Sequence, residues 1–140
     1  MNEILYKAKD KLTGEWMEGL VLNADHTKFG HYDDGINFAF FDSIPETVCR
    51  FTGITDKNGT KVFEGDIVEA ITIDTNTPQR AVVGFGQYVD ANTSDEYIGF
   101  YLTLGEYTVS AAQLLVDEIK DRFDVIGNRH DNVELLEEVR

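Results

Sequence analysis

Glu64 and Asp66 stand two residues apart in Phe63-Glu64-Gly65-Asp66-Ile67. On a single strand that spacing sends both carboxylates to one face, as an acid/base pair or a cation site requires. The competing expectation is a tight bend, with Gly65 supplying an unusual backbone angle and the carboxylates accepting backbone N–H groups. No ligand-spaced partners accompany the two acids, so the bend is preferred. His26, His31, Asp33 and Asp34 form a second group. A five-residue separation puts the two histidines on opposite faces of a strand, and Asp33-Asp34-Gly35 reads better as turn chemistry than as a metal site. His130, between Arg129 and Asp131, reads as a solvated loop residue. Cys49 adjoins Phe51 in an apolar stretch, the setting of a buried and inert thiol. Gly84-Phe85-Gly86 lacks the third glycine and the following helix of a nucleotide loop. Ser110 has no nucleophile-elbow context. No residue is therefore assigned to catalysis, to a cofactor or to a metal.

One group points to binding instead. Tyr88, Tyr97, Phe100 and Tyr101 flank a polar loop at 90–96 and could receive a base or a peptide, although packing is their ordinary use. Single-strand binding also needs cations, and Arg80 is the one base between Lys61 and Lys120. The whole chain repeats that imbalance. Its 140 residues carry 26 acids and 12 bases, a formal charge of −14. A phosphate-tracking groove and adsorption to anionic membranes both require clustered Lys and Arg, so direct nucleic-acid and membrane binding are not expected. A single cysteine excludes an intrachain disulfide framework. No apolar run reaches the ~20 residues of a membrane span, and the first residues lack a signal peptide's apolar core. A soluble, cytoplasmic protein is expected.

The elements that must position these residues are mostly strands. Glycine occurs 12 times and proline twice. The glycines punctuate short β-branched and aromatic runs, the pattern of a β-rich domain with tight turns. Strands are expected at 4–9, 16–22, 27–32, 36–41, 48–55, 61–63, 67–73, 81–89, 97–104 and 123–126. Residues 74–79 read as loop. Asp56-Lys57-Asn58-Gly59 is a strong hairpin signal that admits two registers. A two-residue Asn58-Gly59 turn sets Ile54 opposite Phe63. A three-residue Lys57-Asn58-Gly59 loop sets Ile54 opposite Val62. Ser110 could cap a short helix with Ala111, Leu114 and Leu115 on one face. Asn132 could cap a last helix presenting Leu135, Leu136 and Val139. That tail is expected to dock on the body rather than offer a groove-binding helix to a partner. No internal repeat is evident.

The central stretch from Phe51 to Val68 resembles the signature of the YopX family, small proteins encoded by bacteriophages and prophages. The family pattern is an aromatic-Thr-Gly, here Phe51-Thr52-Gly53, then Asp-Lys-Asn-Gly with Asp56, Asn58 and Gly59. Glu64, Gly65, Asp66, Ile67 and Val68 complete it. Val125-Ile126-Gly127-Asn128 and the following acidic-aliphatic segment resemble the family's ending, and Ile4 to Asp10 is a weaker third match. Lys7, Lys9 and Arg50 depart from the family's usual Arg, Trp and Gln. The resemblance implies a mainly β fold with an SH3-like open barrel core, additional N-terminal strands and short C-terminal helices. One domain spans 1–140, with N-terminal strands over 1–45 and the barrel and tail over 46–140. It implies no activity, cofactor or catalytic residue, so Phe51–Val68, Gly127 and Asn128 are expected to be scaffold.

The leading functional expectation is a phage or prophage accessory protein acting through protein–protein contacts without catalysis, with self-association through strand edges as one form. The first alternative is an acidic DNA mimic that occupies a host nucleic-acid-binding protein, since a carboxylate surface attracts basic partners. A carboxylate-dependent enzyme built on Glu64 and Asp66 ranks last.

Overall fold

A computed structural model describes residues 5–33, 37–71 and 77–136, with the backbone alone at 31–33, 37 and 38. The chain is mainly β and forms two compact units, Met1–Phe51 and Thr52–Arg140.

In the first unit, β1 (Tyr6–Lys9) pairs antiparallel with β2 (Trp16–Gly19), from Tyr6 opposite Gly19 to Lys9 opposite Trp16. Its other edge takes the start of β6 (Cys49–Thr55), with Lys7 opposite Cys49. The lysines at 7 and 9 both aim at the half-buried Trp16 ring, 4.6 and 5.4 Å from its centroid, a cation–π arrangement. A second sheet runs β3 (Val21–Leu22), β4 (Lys28–Asp33), β5 (Asn37–Asp42). Leu5, Ala8, Phe29 and Cys49 are buried here, and Phe29 packs on Phe41 with ring centroids 5.0 Å apart. Pro45 starts a 3₁₀ turn over Pro45–Thr47, where its fixed φ and missing N–H fit a first helical position. The Thr47 hydroxyl donates to Ile44 O at 2.7 Å and accepts Lys9 N at 2.9 Å.

The second unit is built on one antiparallel sheet with strand order β11-β10-β9-β8-β12. Its strands are β8 (Asp66–Ile71), β9 (Pro78–Val89), β10 (Glu96–Leu104), β11 (Tyr107–Ser110) and β12 (Phe123–Asn128). The remainder of β6 pairs with β7 (Lys61–Phe63). Alternation along β8, β9, β10 and β12 brings Val68, Ala81, Val83, Leu102 and Phe123 to one face of this sheet, where Val62 of β7 joins them in the core. The sheet does not close into a barrel: β11 and β12 are its outer strands.

Several elements differ from the sequence reading, and the single strand expected at 16–22 is split into β2 and β3, which belong to different sheets. β9 starts at Pro78, inside the expected loop, because Pro78 and Gln79 pair with Ile71 and Ala70. β11 was not expected at all. It is four residues long and joined to β10 by the two-residue turn Gly105-Glu106, too short to show an alternating pattern. Residues Ala111–Leu115 form a 3₁₀ helix capped by the Ser110 hydroxyl, which accepts Ala112 N. A three-residue repeat keeps Ala111 and Leu114 buried on one side and leaves Leu115 57% exposed, so Leu115 does not share their face. Helix α1 is one turn, Val133–Leu136. The expected contribution of Val139 lies outside the described residues.

Candidate functional site

The signature residues lie in the second unit from Thr52 onward, and backbone hydrogen bonds account for much of their chemistry. The Thr52 hydroxyl donates to Val62 O at 2.7 Å and accepts Ile54 N, fixing β6 to β7 around Gly53, whose φ is +86°. Asp56 N donates to Thr60 O, and Gly59 N donates to Asp56 O. These bonds close the three-residue loop Lys57-Asn58-Gly59, with Gly59 at φ +81° and Asn58 outside the left-handed region. Ile54 therefore lies opposite Val62, and the two-residue alternative is not adopted.

The Asp56 carboxylate reaches further than its own loop. One oxygen accepts Asn58 N and Thr60 N, both at 2.9 Å; the other accepts Val125 N of β12 at 2.9 Å. Lys57 N adds a bond to Phe123 O. Burial pushes the Asp56 pKa up, but the N–H groups of Val125, Thr60 and Asn58 outweigh it and hold the group below the ordinary carboxylate value. A side chain 69 positions away in sequence thus pins the C-terminal strand.

Glu64 and Asp66 do not share a strand face, as the less-favoured paired-carboxylate alternative would require. Gly65 takes φ +90°, which breaks the extended chain between them, so Glu64 sits in a turn and Asp66 opens β8. Asp66 is 2% exposed and accepts Phe63 N at 2.8 Å. Gly65 itself donates to Val83 O of β9 and accepts Arg129 N. Ile67 and Val68 are core residues. The C-terminal match has the same character. Asn132 Oδ1 accepts Asn128 N, rather than capping the helix that follows it. Asn128 Oδ1 accepts His130 N and Asp131 N. The Gly127 Cα packs against the Asn132 carboxamide, where a Cβ would lie 2.5 Å from Oδ1.

His26 is not on a strand. It occupies the turn before β4 at φ +64°, so it cannot stand on the opposite face of a strand from His31. The side chains of His31 and Asp33, and all of Asp34 and Gly35, lie outside the described residues. Among the described residues no three His, Cys, Asp or Glu side chains gather at a metal-binding distance. Cys49 is 1% exposed and its thiol donates to Thr47 O at 3.2 Å.

A further group of exposed side chains lies on the far half of hairpin β9–β10. The ladders to β8 and β11 end at Val82 and Tyr101, and beyond them β9 and β10 pair with each other. One face presents Gly84, Gly86 and Tyr88 opposite Tyr101, Gly99 and Tyr97; the other presents Phe85, Gln87 and Val89 opposite Phe100, Ile98 and Glu96. Tyr101 lies over Gly84, and Tyr88 stacks between Tyr101 and Tyr97, with centroids 5.3 and 5.8 Å apart. Ile98 is 79% exposed and Val89 54%. From 84 to 89 and from 97 to 100 there is no charged residue, in a chain of net charge −14. The hairpin's loop is anchored. One oxygen of Asp90 accepts Asn92 N and Thr93 N, and the other accepts Ser110 N at 3.0 Å. The Ser110 N–H, reinforced by Asn92 and Thr93 against burial, holds the Asp90 pKa below the ordinary value. Sequence reading passed over Asp90 and Ile98. Asp90 carried a usable signal, the spacing Asp-x-x-Thr shared with Asp10 to Thr13.

A family model described as YopX protein matches residues 5–137. The chain belongs to the YopX family. Among solved structures, it resembles the crystal structure of protein EF1440 from Enterococcus faecalis, with a TM-score of 0.52 and 19% identity over 97% of this chain and 99% of that one. At that identity the likeness shows a shared fold alone. No curated protein sequence matches this YopX chain. No helix among its described residues is long and apolar enough to cross a membrane.

Proposed function

We propose that this YopX protein is a small non-catalytic accessory protein, of phage or prophage origin, that works by binding another protein through the far half of hairpin β9–β10. The observation that carries the reading is the exposure there of Ile98 and Val89 on one face and of Tyr97 on the other, in strand segments whose one charged residue is Glu96. Contiguous exposed apolar surface on a soluble domain marks an interaction site more often than a lone exposed residue does. The open, strongly glycine-punctuated five-stranded sheet supports an SH3-like relationship for the second unit, and the signature residues serve as its scaffold.

Two experiments separate contact surface from scaffold. Ile98→Glu should leave the melting temperature near wild type and abolish association, whether with a captured partner or between copies in sedimentation velocity. Association that survives Ile98→Glu, or a wild-type protein that associates with nothing, overturns the reading. Gly59→Val should destabilise the fold by about 1–3 kcal/mol through its positive φ, although open space surrounds the added side chain. Glu64→Gln should do much less. A well-folded Glu64→Gln protein without function would show that the signature is a site after all.

A further inference from the structure

The second unit contains a hollow of about 400 Å³ that takes only Val68 from the signature and nothing from the exposed far half of the hairpin. Its floor is the core face of the sheet, where Val68, Ala81 and Leu102 are at most 4% exposed. Leu114 of the 3₁₀ helix and Ile119 wall it on one side, and Ala91 and Asn92 of the loop after β9 contribute more wall. Alanines at 70, 81 and 91 leave the room, since larger side chains at these positions would fill it.

The hollow is held open. Ser110 joins two of its walls: its N–H donates to Asp90 at the base of the loop, and its hydroxyl caps the 3₁₀ helix that carries Leu114. Ala91 N also donates to Thr108 O at 2.8 Å. Collapse would break these bonds and strand buried polar groups. The lining chemistry is equally specific. Among the described residues that line it there is no Asp, Glu, Lys or Arg, although 27% of the chain is charged. The polar lining groups are the carboxamides of Gln79, Asn92 and Gln113 and the phenol of Tyr107. An anion would enter against a net charge of −14 with no cation to receive it, and a cation would find no carboxylate partner. A preformed apolar hollow of a few hundred Å³ with a few uncharged hydrogen-bonding groups is the usual form of a small-molecule site.

We propose that this cup binds one small, uncharged, mainly apolar molecule, whose polar group meets the carboxamides and phenol of the lining. The site is independent of the hairpin contact.

The test uses the full chain and two dyes with the same ring system: uncharged N-phenyl-1-naphthylamine and its sulfonated counterpart, 8-anilinonaphthalene-1-sulfonate. The uncharged dye should bind saturably, one per chain, and shift the methyl resonances of Leu104, Val109 and Ile119. The sulfonate should bind roughly tenfold more weakly or worse. Ala70→Phe should fill the cup and weaken the uncharged dye by a similar factor while the protein still melts cooperatively. If that variant does not fold, the methyl shifts of the wild type decide the matter alone. Equal binding of the two dyes, shifts confined to Ile98 and its neighbours, or no saturable binding at millimolar dye would each overturn the proposal. So would one dye per two chains, which would make the occupant a second copy.

Discussion

The loops at Asp10 and Asp90 are the same structure built twice, once in each unit. In each, the Asp N–H donates to the residue five positions on, and the residue four positions on donates back to the Asp carbonyl. The Asp Oδ1 takes the N–H groups at the second and third positions, and the threonine hydroxyl at the third position takes the N–H at the fifth. Both loops then donate the next N–H to a neighbouring segment, Lys11 N to Asp42 O and Ala91 N to Thr108 O. Two differences separate them. The left-handed position is Gly14 in one and Ser94 in the other. The second carboxylate oxygen of Asp90 also takes Ser110 N, and Asp90 is 4% exposed. One four-residue loop thus serves as a simple turn at one place and as an anchor at another, and a single added hydrogen bond to a distant strand makes the difference.

Breaking the anchor should have the largest effect. Asp90→Ala removes acceptors from three N–H groups, one of them on β11, and should lower the melting temperature clearly more than Asp10→Ala does. Equal losses would show that the Ser110 bond adds nothing. The second effect is pH dependence. The folded-state pKa values of Asp56 and Asp90 lie below the ordinary carboxylate value of about 3.9. The stability they confer is therefore fully present above that value and is lost as pH falls through the folded-state values. Melting curves across the acid range should steepen below about pH 4 and flatten in Asp90→Asn. Gly14→Val should cost about 1–2 kcal/mol, because φ is +73° and no neighbour lies close enough to clash. The smallest effect has the opposite sign. Ser94→Gly should raise stability by up to about 1 kcal/mol, since a glycine relieves the left-handed strain that Ser94 bears at φ +64°. Urea unfolding of the two variants measures both.

Strands with strong alternation or a clear turn were legible in the sequence: β6 and β7 around Asp56-Lys57-Asn58-Gly59, and the far halves of β9 and β10. β11 was not, because four residues after a two-residue turn carry no period of their own. The signature's place in the scaffold could be anticipated in part from Gly59 and Gly65. The reach of Asp56 to Val125, by contrast, is a pairing of residues 69 positions apart, and no local pattern encodes it. The repeat of Asp-x-x-Thr at 10 and 90 was present in the letters but hidden by its different companions, Lys-Leu against Ala-Asn and Gly-Glu against Ser-Asp. The cup could not be read at all. It depends on four strands, a loop and a 3₁₀ helix converging, and its small residues are ordinary alanines in sequence.

The outer strands of the five-stranded sheet carry a last consequence. β12 changes register between Val125 and Gly127, a bulge that twists it away from a flat template, and the far side of β11 already receives Ala91 N. Neither end of the sheet offers a long regular edge for a newcomer. Strand addition to this sheet is left to one span, the far half of β9 and β10. The bulge and the anchored loop thus narrow where the second unit's sheet can be extended, and short, interrupted edges are how such a sheet resists open-ended growth.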